Sequence, residues 1–200
     1  MKTRVSMNRQ GIKRPASNGV LERELKEWRK LYQEVFGLAL SVEKIKIPKA
    51  LQGFDRMIVV AQGLTPDAVY AACAARFPCV RHYTKLDADV VKNERASDLT
   101  YAFLVRGERE PDRELADMSA DDLSKNKISA ATLLEYLLCQ LACFIETGNL
   151  LDEKNITLCA GSRYTDGRVP TAMSHRGELK IHWCAPHEKN LRLRAREVQV

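Results

Sequence analysis

Apolar residues along the chain fall into two rhythms, helical in the first three quarters and alternating near the end. Leu21, Leu25, Trp28, Leu31, Tyr32, Val35 and Phe36 share one stripe of a helix starting at Val20, with Glu, Arg and Lys on the other face. Gly37 is placed to stop it. Met57 to Ala61 is an unbroken apolar run, the pattern of a central strand covered on both faces. Thr65 ahead of Pro66 puts an N-cap before a proline at the first helical position, opening a helix to about Phe77 that buries Val69, Tyr70, Cys73 and Phe77. Cys79 to Tyr83 reads as a strand, Asp87 to Asn93 as a short helix and Leu99 to Arg106 as a strand. The charged stretch 107–127 reads as surface loop with one or two helical turns.

The most apolar helix follows. Ser129 is the expected cap, with Ile128 and Leu133 as a hydrophobic staple, and the helix runs from Ala130 to about Thr147, where Gly148 ends it. Its leucines leave little polar surface, which places it at the centre of the core. Beyond it, Asn155–Gly161, Arg168–Ser174 and Glu178–Cys184 read as a three-stranded antiparallel meander, with Asp166-Gly167 and Arg176-Gly177 as tight turns. The expected class is α+β: an N-terminal amphipathic helix, a mixed α/β core around a central apolar helix, and the C-terminal meander.

Charge divides the chain. The net charge is +6, yet residues 1–19 carry Lys2, Arg4, Arg9, Lys13 and Arg14 with no acid, leaving a nearly neutral body. The expected organisation is a basic disordered tail over 1–19 and a single α+β domain over 20–200. The N-terminus has no apolar h-region, and the stretch Ala130–Ile145, interrupted by Glu135 and Gln140, is short for a membrane span. These features predict a cytoplasmic protein without a membrane partner. The six cysteines form no CxxC pair, so buried free thiols are expected.

Candidate chemistry concentrates in the meander. Alternation turns Leu179, Ile181 and Trp183 toward the core and Lys180, His182 and Cys184 away, while Ile156 and Leu158 point inward and Thr157 and Cys159 outward. Cys159, His182 and Cys184 on one face, with His175 and His187 in flanking turns, would be a zinc set, although no pair has knuckle spacing. Cys159 as thiolate with His175 or His182 as base is the corresponding enzyme reading, without a family signature around the cysteine. Cys139 and Cys143 sit one turn apart in an apolar helix, where packing is the better account, and Gln62-Gly63 before the Pro66 helix lacks a phosphate-binding glycine pattern.

The segment around Ser162, Arg163, Tyr164, Asp166 and Arg168 reads either as a recognition loop or as a rigid hairpin held by local hydrogen bonds. Arg192, Arg194 and Arg196 align on one side of an extended end. Together with the basic tail they suggest phosphate contacts, which are mainly Coulombic, whereas few aromatics accompany them. The reading is a non-catalytic binding protein with no cofactor. Nucleic acid is the first partner class and another protein the second.

Gly53-Phe-Asp-Arg-Met-Ile-Val-Val-Ala-Gln-Gly63, Phe77-Pro-Cys79, Asn155-Ile-Thr-Leu-Cys-Ala-Gly-Ser-Arg-Tyr-Thr-Asp-Gly167 with Val169-Pro170, and Leu193-Arg-Ala-Arg196 resemble a family of uncharacterised bacterial proteins. The resemblance implies a folded unit over roughly Trp28 to Arg196. It carries no activity, cofactor or catalytic residue.

Overall fold

A computed structural model describes residues 18–43, 45–49 and 51–200, so most of the expected tail lies outside the described residues. Asn18 and Gly19 already belong to helix α1 (Asn18–Phe36). The order continues β1 (Arg56–Val60), α2 (Pro66–Ala74), β2 (Cys79–Arg81), α3 (Leu86–Asp89), β3 (Val90–Asn93) and β4 (Tyr101–Val105). A 3-10 turn (Arg113–Leu115), α4 (Ala120–Lys125) and α5 (Leu133–Thr147) lead into β5 (Ile156–Leu158), β6 (Ser162–Tyr164), β7 (Val169–His175), β8 (Glu178–Cys184) and β9 (Leu193–Ala195). The class is α+β, with the N-terminal helix, the buried central helix and the C-terminal strands in the expected order.

α1 closes an edge as well as covering apolar surface. β1 pairs antiparallel with β4 alone, in a two-stranded sheet, rather than standing centrally among several strands. Its other edge would leave backbone groups unpaired. Trp28 Nε1 donates to the Met57 carbonyl at 3.1 Å, and the Tyr32 hydroxyl donates to that of Val59 at 2.8 Å while accepting from the Ala61 amide at 3.0 Å. The amphipathic stripe therefore supplies the missing partners of a strand. Gly37, at φ 66°, ends the helix as its position predicts.

α5 is buried on every side from Leu133 to Cys143. Its cap differs from the expectation at Ser129. Thr132 accepts from the Glu135 amide, and the Glu135 carboxylate accepts from the Thr132 amide, forming a reciprocal capping box. Ser129 is followed three residues later by Thr132, which offers no carboxylate for such a box. Its hydroxyl instead accepts from Arg95, and Arg95 also forks onto Glu135 at 2.7 and 2.8 Å. Glu135, which interrupts the apolar run, thus ties the start of α5 to the loop carrying Arg95 and, by accepting from the Tyr101 hydroxyl at 2.9 Å, to β4. The same region corrects two further expectations: Asp87–Asn93 divides into α3 and the strand β3, and the charged 107–127 stretch buries Asp112, Leu115, Ala120 and Leu123.

The expected meander is present as β5, β7 and β8, paired in that order and antiparallel. It is the middle of a five-stranded mixed sheet, β2-β8-β7-β5-β9, in which β2 and β9 are parallel to their neighbours. Arg176 and Gly177, at φ 53° and 77°, turn β7 into β8 as a two-residue hairpin requires. β6 leaves this sheet and pairs with β3. The departure occurs at Gly161, where an added Cβ would lie 2.6 Å from the Ala130 carbonyl oxygen. Only a residue without a side chain lets the chain press against the start of α5.

Both faces of the five-stranded sheet are covered. Ala172, Leu179, Ile181 and Cys159 join the main core with α5, while Leu158, Val169, Cys184, Leu193 and Ala195 pack with Leu115, Ala120 and Leu123. Thr157 and Cys159, expected to face outward, are fully buried because α5 lies over that side. Trp183, expected in the core, is 38 % exposed near the end of β8, with Arg168 and His82 as its ring neighbours.

Candidate functional site

The cysteine set does not assemble. Cys159 lies in the main core and Cys184 in the smaller cluster on the sheet's other side, while His175, His182 and His187 are exposed. The cause is the coverage of both sheet faces, which the alternation argument left out. Burial pushes the Cys159 thiol well above its ordinary range and the Cys184 thiol up to about 12, so neither supplies a thiolate near neutral pH. Among the described residues, no group of three or more His, Cys, Asp and Glu side chains is gathered closely enough to hold a metal ion.

The 162–168 segment runs through β6 into a tight turn, where the Tyr164 amide donates to the Arg168 carbonyl and the Gly167 amide to that of Tyr164, each at 2.9 Å, and part of it is turned outward. Ser162 is buried: its hydroxyl accepts from the Leu133 amide at the first turn of α5 and donates to Asn93 at 2.5 Å. Arg163 donates at 2.7 Å to the Ala160 carbonyl and at 2.8 Å to that of Ser162. Tyr164 is buried against the Tyr83 ring, 4.1 Å between centroids, and its phenol is held neutral by burial. Ser162 and Tyr164 are therefore structural, a correction to their place among the binding residues.

Asp166 and Arg168 face solvent in a connected surface. Asp166 accepts from the Tyr83 hydroxyl at 2.5 Å and from Arg168 Nε at 2.9 Å. The Tyr83 bond lowers the carboxyl's proton affinity, and the same bond raises that of the phenol, so the proton stays on the tyrosine. Arg168 lies over the Trp183 indole at 3.7 Å, a cation–π contact. His82 meets Trp183 edge-on at 6.0 Å and Tyr83 at 5.1 Å, and stands 6.5 Å from His182. The pairing of β2 with β8 makes this possible, because Arg81 lies opposite Ile181 and the His82 amide bonds the Ile181 carbonyl. Sequence reading named Asp166, Arg168 and His182 but not their neighbours His82, Tyr83 and Trp183: the members beside β2 and on β8 lie about a hundred positions apart, and parallel pairing of a three-residue strand leaves no local signal.

The three C-terminal arginines have different fates. Arg196 is almost fully buried, paired with Asp152 and donating to the Glu108 and Arg109 carbonyls, so it is removed from any phosphate surface. Alternation sets Arg194 on the side of β9 opposite the buried Leu193 and Ala195, whereas Arg196, just past the strand, is buried. Arg192 is exposed and Arg194 half-buried, each with Nε bonded to a backbone carbonyl. A cleft of about 330 Å³ between α1 and β1 is lined by Glu24, Glu27, Asp55 and Glu146 around Arg56. Glu146 takes both guanidinium arms of Arg56, at 2.7 and 2.8 Å, so the cleft repels phosphate.

No family model, curated protein or solved structure matches the chain. Among the described residues, no helix is long and apolar enough to cross a membrane.

Proposed function

We propose that the protein is a nucleic-acid-binding protein that takes single strands on the surface formed by Tyr83, Arg168, Trp183, His82 and His182. The observation that carries this reading is the half-exposed Trp183 indole with the Arg168 guanidinium against it. Bases stack on exposed aromatic and guanidinium planes without regard to sequence, each contact contributing about 1–3 kcal/mol. Phosphate attraction would come from the five cations of residues 1–19 and from Arg192 and Arg194, since the remaining body is close to neutral. That neutrality favours a second reading, in which the surface docks another protein through Trp, Tyr and Arg, the usual anchors of interfaces.

A salt titration of fluorescence anisotropy with a labelled single strand tests the first reading. Steep salt dependence is expected. Trp183→Ala should weaken binding by about tenfold, the loss of one stacking contact. Removal of residues 1–17 should reduce the salt slope by about 0.7 for each phosphate-contacting cation lost. Absence of binding at low salt would overturn it and leave the protein interface.

A further inference from the structure

We propose that His82 and His182 form a general acid–base pair that cleaves RNA, which rests on the reading of this surface as a single-strand site. The two residues are brought side by side by the parallel register of β2 and β8, with 6.5 Å between ring centroids. Both are exposed, and among the described residues neither imidazole takes part in a hydrogen bond or ion pair, so their nitrogens are available to a ligand. His82 is held between the Tyr83 and Trp183 rings, which restrains its orientation. The separation admits one phosphate, with a nitrogen of each ring within about 3 Å of a different oxygen. Lys180 lies two residues before His182 on β8 and therefore on the same face; it is ion-paired with Glu178 at 3.4 Å, so its ammonium would have to exchange that exposed carboxylate for the phosphoryl oxygens.

The reaction needs no further reactant. One neutral imidazole removes the proton of a ribose 2′-hydroxyl as that oxygen bonds to phosphorus. The other, protonated, gives its proton to the 5′-oxygen as the P–O5′ bond breaks. The products are a 2′,3′-cyclic phosphate and a free 5′-hydroxyl, with the two imidazoles exchanged in protonation state. DNA lacks the 2′-hydroxyl, so it would be bound and left intact.

The test uses the full chain with labelled single-stranded RNA and DNA of one sequence, under single-turnover conditions at protein concentrations that saturate the strand. Binding is followed by anisotropy and cleavage by gel. The expected result is RNA cut to a cyclic phosphate, DNA uncut, and a loss of about a hundredfold or more in cleavage rate for His82→Ala and for His182→Ala. RNA bound but uncut would overturn the acid–base pair and leave the binding reading standing. Equal cleavage by the wild type and both variants would assign the activity to a contaminant, and equal cutting of DNA would exclude a 2′-hydroxyl mechanism. Failure to bind either strand would overturn both readings.

Discussion

Arg196 sits four residues from the end of the chain, yet it is a core residue. Its guanidinium and the Asp152 carboxylate are both out of solvent; the Glu108 and Arg109 carbonyls and Thr157 add hydrogen bonds to the pair, while Arg196 Nε stays buried without a partner. Truncating one partner strands the other as a buried, unpaired charge. Arg196→Ala should therefore cost about 3–5 kcal/mol, measured by urea unfolding; a change near zero would mean the pair is solvated. Gly161→Ala should be destabilising by about 1–3 kcal/mol, because the new methyl meets a backbone oxygen that cannot rotate away. Asp122 offers a pH test. Lys189 and Ser119 hold its carboxyl down to about 2 in the folded protein, against an ordinary 3.8. A depressed folded value means the contribution is fully present above the ordinary value and is lost as pH falls through the folded one. The difference in thermal midpoint between wild type and Asp122→Asn should persist at pH 5 and disappear toward pH 2. At this scale the sequence showed which residues carry charge, but whether a position points at solvent or at a covering helix depends on packing distant in sequence.

Elements were easier to read than their partners. The amphipathic stripe of α1, the Thr65–Pro66 start of α2, the apolar α5 and the Arg176-Gly177 turn follow from local chemistry and stand where that chemistry puts them. The Ser129 cap failed because Thr132 with Glu135 forms a better box three residues on; the Cys79–Tyr83 strand and the three meander strands were legible, but not that β2 and β9 flank the meander in parallel. Leu137 is fully buried in α5, so Leu137→Ala should cost about 2–5 kcal/mol by the same unfolding measurement. The last strand should matter as much. β9 pairs with β5, Ala130 bridges Glu197, and Leu104 exchanges two hydrogen bonds with Gln199, so residues 193–199 join the five-stranded sheet to the β1–β4 pair. A chain ending at Arg192 should lose its cooperative unfolding transition; a retained sharp transition would show that the end is dispensable.

At the scale of the molecule, the covering of both faces of the five-stranded sheet separates structure from function. It withdraws Cys159 and Cys184 into the interior and leaves the His82–Trp183 edge in solvent. Charge follows the same division, with carboxylates in the α1–β1 cleft and the densest run of cations in residues 1–19. That run is what the nucleic-acid expectation rested on in the sequence, whereas the surface proposed for stacking depends on a long-range parallel pairing. The two tryptophans provide a direct readout of the account. Trp28 is buried with its indole N–H bonded to Met57, and Trp183 is half-exposed beside Arg168. In an NMR titration of the ¹⁵N-labelled protein with single-stranded RNA, the Trp183 indole N–H resonance should shift while that of Trp28 stays in place. An unmoved Trp183 signal at saturating RNA would contradict the assignment of this surface.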